Sequence, residues 1–345
     1  MSKEIVVIGM SGGVDSSVSA YLLKKAGYDV LGVTLVNHAF AQPAVNDAKE
    51  VAEKLGIKHV VADRSEKFKN IVERYFISEY LNGRTPNPCI ICNPLVKWDA
   101  LMSVKEEYNA KYVATGHYAK IIQYPPTGRY SIKMTEKNVK DQTYVLSFLT
   151  QEQLKSTLFP LGEYKKPQVR EIAAQIGLIT AEKPDSEEIC FIPDNDYAGF
   201  IKKNAETEIP AGNYVDFDGN IVGSHKGIIY YTVGQRKGLG MSFGKHMFVN
   251  SINAEKNEVV LGSNDMLFKN TVYGENISFM AVENITDPIR AEAKIRYSHK
   301  KSPCTVSIEN GILKCVFDEP QRAAAPGQAI VVYKDEYCLC AAIIK

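Results

Sequence analysis

Two groups of residues in this sequence have the types and spacing for chemistry. The first is Gly9-Met10-Ser11-Gly12-Gly13-Val14-Asp15-Ser16-Ser17. Adjacent glycines let a backbone approach a ligand closely, and Ser11, Ser16 and Ser17 add hydroxyl donors. The apolar run Ile5-Val6-Val7-Ile8 precedes it. Val18, Leu22, Leu23 and Ala26 follow at three- and four-residue steps, with Gly27 at the stop. The context is strand, glycine turn, helix, which gathers backbone N–H groups at a positive helix end and suits phosphate. No lysine follows the last glycine, so this is not the Walker loop, and the spacing is not GxGxxG. The second group is a set of thiols. Cys89 and Cys92 lie in Gly83-Arg84-Thr85-Pro86-Asn87-Pro88-Cys89-Ile90-Ile91-Cys92-Asn93-Pro94, and Cys190 follows Lys183-Pro184-Asp185-Ser186-Glu187-Glu188-Ile189.

The chain has seven cysteines, an odd number that argues against a disulfide framework. Cys304, Cys315, Cys338 and Cys340 fall in strand-like runs, where cysteine behaves as a small buried hydrophobe. Prolines stiffen the stretch around Cys89 and Cys92 into an expected extended loop, where exposure and a lowered thiol pKa are expected. A Cys-x-x-Cys has three readings: a redox pair, half a metal site, or coincidence. No second Cys-x-x-Cys supports a four-cysteine zinc site, whereas three cysteines could hold a [4Fe–4S] cluster with one iron open.

The elements that position these groups follow from periodicity. The spacing predicts strands over 30–36, 57–62 and 112–117 and helices over 43–55, 97–108 and 167–176, with another helical region opening at Lys140-Asp141-Gln142. Alternating strands and helices predict a doubly wound parallel sheet, which binds ligands at the carboxyl ends of its strands. Beyond about residue 200, short alternating runs and turn signals predict β structure. The chain therefore divides into an α/β catalytic domain (1–200), a small linking domain (201–268) and a C-terminal β-barrel (269–345). Residues 225–240 and 294–301 mix basic and aromatic side chains, which suits RNA backbone contact and base stacking, although a solvated edge would look the same. The net charge of +1 does not decide the point. No apolar run reaches the roughly 18 residues of a membrane span. No leader precedes the first strand, so a cytoplasmic protein is expected.

The pattern Ser-Gly-Gly-Val-Asp-Ser resembles the pyrophosphate-binding (PP) loop of the N-type ATP pyrophosphatases, which cleave ATP between the α and β phosphates and adenylate an oxygen. Paired with reactive thiols, such a loop suggests that ATP activates a carbonyl oxygen and sulfur then displaces AMP. Taken whole, the chain resembles the tRNA-specific 2-thiouridylase family, which thiolates the wobble uridine of certain tRNAs. The matching stretches are 9–17, 83–93, 114–120, 140–142, 159–162, 185–192, 231–240, 296–297 and 326–328, in family order.

This resemblance implies an adenine nucleotide alpha hydrolase-like domain. Gly9, Met10, Ser11, Gly12, Gly13, Val14, Asp15 and Ser16 would bind ATP, with Leu35 and Gly116 lining the nucleotide site. Mg²⁺ would offset phosphate charge, with Asp15 a candidate to position it. Asn87, Pro88 and Cys89 would face the target base. Cys190 would carry a persulfide and Cys92 would resolve it, forming a Cys92–Cys190 disulfide. His117, Lys140, Asp141, Gln142, Arg296, Tyr297 and Gln328 would contact tRNA. A persulfide donor protein would supply sulfur. A second route in the family places a [4Fe–4S] cluster on Cys89, Cys92 and Cys190, with Cys89 where other members carry Asp. The chain departs from the family after Leu35: the short link Asn37-His38-Ala39-Phe40-Ala41-Gln42 replaces a longer acidic or tryptophan-containing segment. Two further readings are another PP-loop adenylating synthetase and a tRNA-binding protein without catalysis.

Overall fold

A computed structural model of the protein describes residues 3–135, 140–183, 189–241, 244 and 246–345. The opening apolar run forms β1 (Ile5–Gly9), and the helical period after the glycine loop forms α1 (Val14–Lys25). β2 (Asp29–Val36), α2 (Gln42–Leu55) and β3 (Lys58–Asp63) continue the alternation. Gly56 ends α2 in the left-handed conformation. Only a single helical turn, Ala39–Ala41, separates β2 from α2, so the short link is a tight connection.

Next come α3 (Ser65–Phe68), α4 (Arg74–Leu81), α5 (Pro88–Cys92) and α6 (Trp98–Glu107), with π-helical turns at Lys69–Glu73 and Asn93–Lys97. Here the structure corrects the expected extended loop around the cysteines: both sit on α5. Pro88 occupies the first helical position, where its missing N–H costs nothing, and the Asn87 side chain caps the turn by accepting from Cys89 N at 3.1 Å. β4 (Tyr112–Ala114), the hairpin β5 (Lys120–Gln123) and β6 (Tyr130–Lys133), α7 (Thr143–Leu146), α8 (Gln151–Lys155), β7 (Thr157–Leu158) and α9 (Lys166–Gln175) complete the first part. The parallel sheet has the order β3-β2-β1-β4-β7, so the glycine turn after β1 leaves the sheet near its middle.

After α10 (Tyr197–Asn204), β8 (Gly212–Val215), β9 (Ile221–His225), β10 (Phe248–Asn253) and β11 (Glu258–Gly262) make a small sheet of order β10-β11-β8-β9. β12 (Phe268–Phe279), β13 (Ile289–Lys294), β14 (Ser302–Glu309), β15 (Ile312–Arg322), β16 (Ala329–Lys334) and β17 (Tyr337–Ile344) form the barrel. β12 pairs with both β15 and β17, which closes it. All four cysteines of these strands are buried.

The sheet domain and the barrel share material. β6 pairs with β17 at Lys133 and Tyr337, which carries the β5–β6 hairpin onto the barrel wall. Val7, Leu31, Trp98 and Leu101 belong to the same apolar core as Val331, Ala341 and Ile343. Burying one surface against the other fixes how the two parts meet.

Candidate active site

Gly13 is the N-cap of α1 with an extended backbone, and no side chain caps the helix, so its first N–H groups face outward. Ser16 and Ser17 donate to Gly13 O at 3.1 and 2.8 Å, and Ser11 N donates to Ser16 Oγ at 3.2 Å. These hydroxyls brace the turn. Gly12 has φ +67°, and a Cβ there would lie 2.8 Å from Ala44 O on α2. A Cβ on Gly116 would lie 2.7 Å from both Asp15 C and Ser16 N. Two neighbouring segments therefore press directly on the loop. Met10 N donates to Val33 O at 2.8 Å, which ties the turn to the strand carrying Leu35.

The Asp15 carboxylate is occupied by protein. Tyr118 Oη donates to Oδ1 at 2.6 Å, and Lys166 Nζ donates to Oδ1 and Oδ2 at 2.7 and 2.8 Å. On the other side of the loop, Lys183 pairs with Asp47 and donates to Gly12 O at 3.3 Å. The sequence reading passed over Lys166, Lys183 and Tyr118. A lysine opening a helix and one in the turn after it look like solvent-facing residues, and only the fold brings Lys166 and Lys183 to the loop.

Cys89, Cys92 and Cys190 lie within electrostatic reach of one another, and all seven cysteines are free. Cys89 and Cys92 project from α5, and Asn93 anchors the following turn by donating to Val145 O at 2.7 Å. Cys89 and Cys190 are exposed to solvent, yet protein crowds each closely enough to desolvate the sulfur in part. Burial pushes Cys92 up to about 12, with Cys190 and Cys89 adding to the rise and Lys97 opposing it. Burial likewise pushes Cys190 up to about 11, reinforced by Cys89. Cys89 is raised by burial too, against Lys97. The expected lowering of the thiol pKa is thus reversed, because desolvation outweighs the cation that opposes it among the described residues. That cation, Lys97, ends the π-helical turn after Cys92 and was also missed. Of the stretch before Cys190, Pro184 to Glu188 lie outside the described residues.

The remaining sequence candidates divide by what holds them. Tyr297 is 43 % exposed and lies in electrostatic reach of Asp141 and Cys89; with burial these raise its phenol. Tyr297, Asp141 and the buried Lys294 border a cleft of about 490 Å³ against the barrel. His117 shares a hydrogen bond with Thr115 Oγ1 at 2.7 Å and packs on Trp98 and Phe159, and burial holds it neutral well below the usual histidine range. Gln142 accepts from Tyr118 N at 3.0 Å, and Gln142 N donates to Tyr118 O at 3.1 Å. Lys140 adjoins them and lies in electrostatic reach of Lys166. Arg296 donates to Val233 O and Ala323 O, each at 2.9 Å, and so braces the linking domain on the barrel. Gln328 donates to Thr85 O at 2.8 Å, just before α5.

Among the described residues, no three His, Cys, Asp or Glu side chains stand close enough together to hold a metal ion. A Mg²⁺ carried in on substrate phosphates needs only one or two carboxylates; Asp15 and Asp47 are the carboxylates beside the loop, each paired with a lysine in this structure. No described helix is long and apolar enough to cross a membrane.

A phosphate-type loop after the central strand of a parallel sheet, on a chain that also groups three thiols within electrostatic reach of one another, defines an α/β nucleotide-binding domain of the PP-loop class carrying two β appendages. Family profiles divide the chain in the same way: a tRNA methyl transferase HUP domain matches residues 4–194, a tRNA methyl transferase PRC-barrel domain 198–263, and an aminomethyltransferase beta-barrel domain 269–344. The chain is 49% identical over 357 residues to the tRNA-specific 2-thiouridylase MnmA of Clostridioides difficile, covering 100% of this chain and 99% of that protein. It is 51% identical to that of Lachnoclostridium phytofermentans, covering 96% of each, and 49% identical to that of Clostridium acetobutylicum, covering 100% of each. The chain belongs to the tRNA-specific 2-thiouridylase family. The alignment with the C. difficile protein is 357 positions long, more than the 345 residues of the chain, so that relative carries positions without a counterpart here.

Proposed function

We propose that the protein thiolates C2 of the wobble uridine of tRNA in an ATP-dependent reaction in the cytoplasm. The observation that supports this is that Cys89 lies within electrostatic reach of Cys92, Cys190 and Tyr297, on a chain whose glycine loop leaves its helix N-terminus uncapped. Gly9 to Ser16 receive the phosphates of ATP, with Leu35 and Gly116 beside the nucleotide. Asn87, Pro88 and Cys89 face the base, and His117, Lys140 to Gln142, Arg296, Tyr297 and Gln328 form or support the tRNA surface. Mg²⁺, when bound with ATP near Asp15 and Asp47, offsets phosphate charge.

In the chemistry, the uridine O2 attacks the α-phosphorus, pyrophosphate leaves, and the N3 proton is lost. Cys190 carries a terminal sulfur as a persulfide from a donor protein. That sulfur attacks C2, and AMP departs with the C–O electron pair. The Cys92 thiolate then attacks Cys190 Sγ, and the S–S electron pair passes to the sulfur on C2. Protonation of N3 gives 2-thiouridine. The Cys92–Cys190 disulfide left behind is reduced by a thiol reductant before the next turnover.

The test is thiolation of a wobble-uridine tRNA with a persulfide donor and MgATP. Cys92→Ser and Cys190→Ser are expected to abolish thiolation while pyrophosphate release in the presence of tRNA persists. Full thiolation by either variant would overturn the persulfide assignment. Thiolation that instead tracks iron content would assign the cluster route.

A further inference from the structure

Two lysines flank the glycine loop, and each is held by an aspartate. Lys166 opens α9, is 12 % exposed, and grips both carboxylate oxygens of Asp15 in the first turn of α1. Lys183 grips Asp47 on α2 and also donates to Gly12 O at 3.3 Å. Gly12 precedes and Asp15 follows Gly13, the uncapped N-cap of α1, in the chain. The two ammonium groups therefore both reach the turn that carries the first N–H groups of α1.

Both lysines belong to one rigid bracket. Arg170 on α9 donates to Ala181 O at 2.7 Å and to Lys183 O at 3.1 Å, which folds the turn after α9 back onto the helix. Val169, Ala173 and Leu178 of this bracket share an apolar core with Val14 and Val18 of α1. Movement of the bracket relative to the loop would disrupt that core, so the two cations are carried at a set distance from it.

A triphosphate cannot approach a turn bordered by two carboxylates unless cations stand between. These ammonium groups are already oriented. Burial lowers the Lys166 pKa while Asp15 acts the other way, so this lysine has given up part of its water in advance. Exchanging a carboxylate oxygen for a phosphate oxygen then needs little further desolvation or side-chain ordering.

We propose that Lys166 and Lys183 are the phosphate-binding side chains of this loop, each exchanging its aspartate for a phosphate oxygen of ATP. The inference rests on the ATP reading above and goes beyond it by naming cations outside the glycine motif. It also assigns Asp15 and Asp47 a role before substrate binds, as the groups that store the two lysines in place.

The experiment is calorimetric titration of the full-length protein with MgATP and with magnesium pyrophosphate, and NMR titration with adenosine, for wild type, Lys166→Met, Lys183→Met, Lys166→Arg and Lys183→Arg. Each Met variant is expected to weaken MgATP and pyrophosphate binding by about 10- to 100-fold, with adenosine binding unchanged and the Arg variants recovering part of the loss. Met variants that bind MgATP within about twofold of wild type would overturn the proposal, since a direct phosphate contact is worth more than that. So would an equal loss of adenosine binding, which marks a structural role. Wild-type protein that binds no MgATP at all would instead overturn the ATP reading itself.

Discussion

At neutral pH the Cys92 sulfur is a protonated thiol. Burial holds it near 12, and two neighbouring thiols add repulsion toward the charged form. The thiolate fraction therefore grows about tenfold per pH unit well beyond the usual thiol value of about 8.5. Carboxamidomethylation of Cys92, followed by mass spectrometry, is expected to be still rising between pH 8 and 10. A plateau near pH 9 would show that the surrounding protein does not desolvate the sulfur. The linked effect on folding has the same origin. A raised pKa in the folded state contributes stability at low pH that is lost as pH rises toward the folded value. Lys97 is the cation that opposes burial at all three thiols. Lys97→Met is expected to slow Cys92 alkylation at pH 8 by about 3- to 10-fold, and an unchanged rate would remove Lys97 from the electrostatics of the site. None of this was legible in the residue spacing. A Cys-x-x-Cys marks where thiols are, but their pKa depends on walls built from distant parts of the chain.

The glycine loop was legible at the scale of elements because its signals are local: an apolar strand, a glycine turn and a helical period, each within a few residues. The βα alternation was legible for the same reason. The Cys-x-x-Cys turn was misread because three prolines suggest extension, although Asn87 before Pro88 is also a helix-start signal. The structure further separates the two adjacent glycines, which sequence treats alike. Gly12 has φ +67° and is pressed by Ala44 O and Asp47, whereas Gly13 is extended with only Ser11 Oγ near the position of a Cβ, at 3.5 Å. Gly12→Ala is expected to cost about 2 kcal/mol in urea unfolding and to abolish MgATP binding. Gly13→Ala is expected to leave stability unchanged. Equal stability losses in both variants would mean that the turn does not have this backbone.

The barrel holds the entry to α5 by a clamp at Thr85. Thr85 N donates to Pro326 O at 2.7 Å, and Gln328 Nε2 returns to Thr85 O at 2.8 Å. Beside it, Arg84 pairs with Glu79 on α4 at 2.8 Å and with Glu275 on β12 at 3.0 Å. The segment that enters α5 is thus held by the C-terminal barrel, some 240 residues away in the chain. Sequence periodicity gave the barrel but could not show that its Pro326-Gly327-Gln328 turn sets the entry to the thiol helix, because nothing local encodes such a pairing. In the proposed reaction this gives a division of labour: the loop after β1 takes the nucleotide, while the barrel, through Thr85, sets how the helix of Cys89 and Cys92 is presented to the base. Arg84→Met leaves two partly buried carboxylates without their shared cation and is expected to lower stability by about 2 kcal/mol. Gln328→Ala removes the side-chain link to Thr85 within the protein. It is expected to reduce kcat for thiolation several-fold, with MgATP affinity and the melting temperature close to wild type. A Gln328→Ala enzyme with wild-type kcat would mean that the thiol helix keeps its orientation without the barrel. A variant that lost MgATP affinity in step with kcat would place the effect in the nucleotide loop instead.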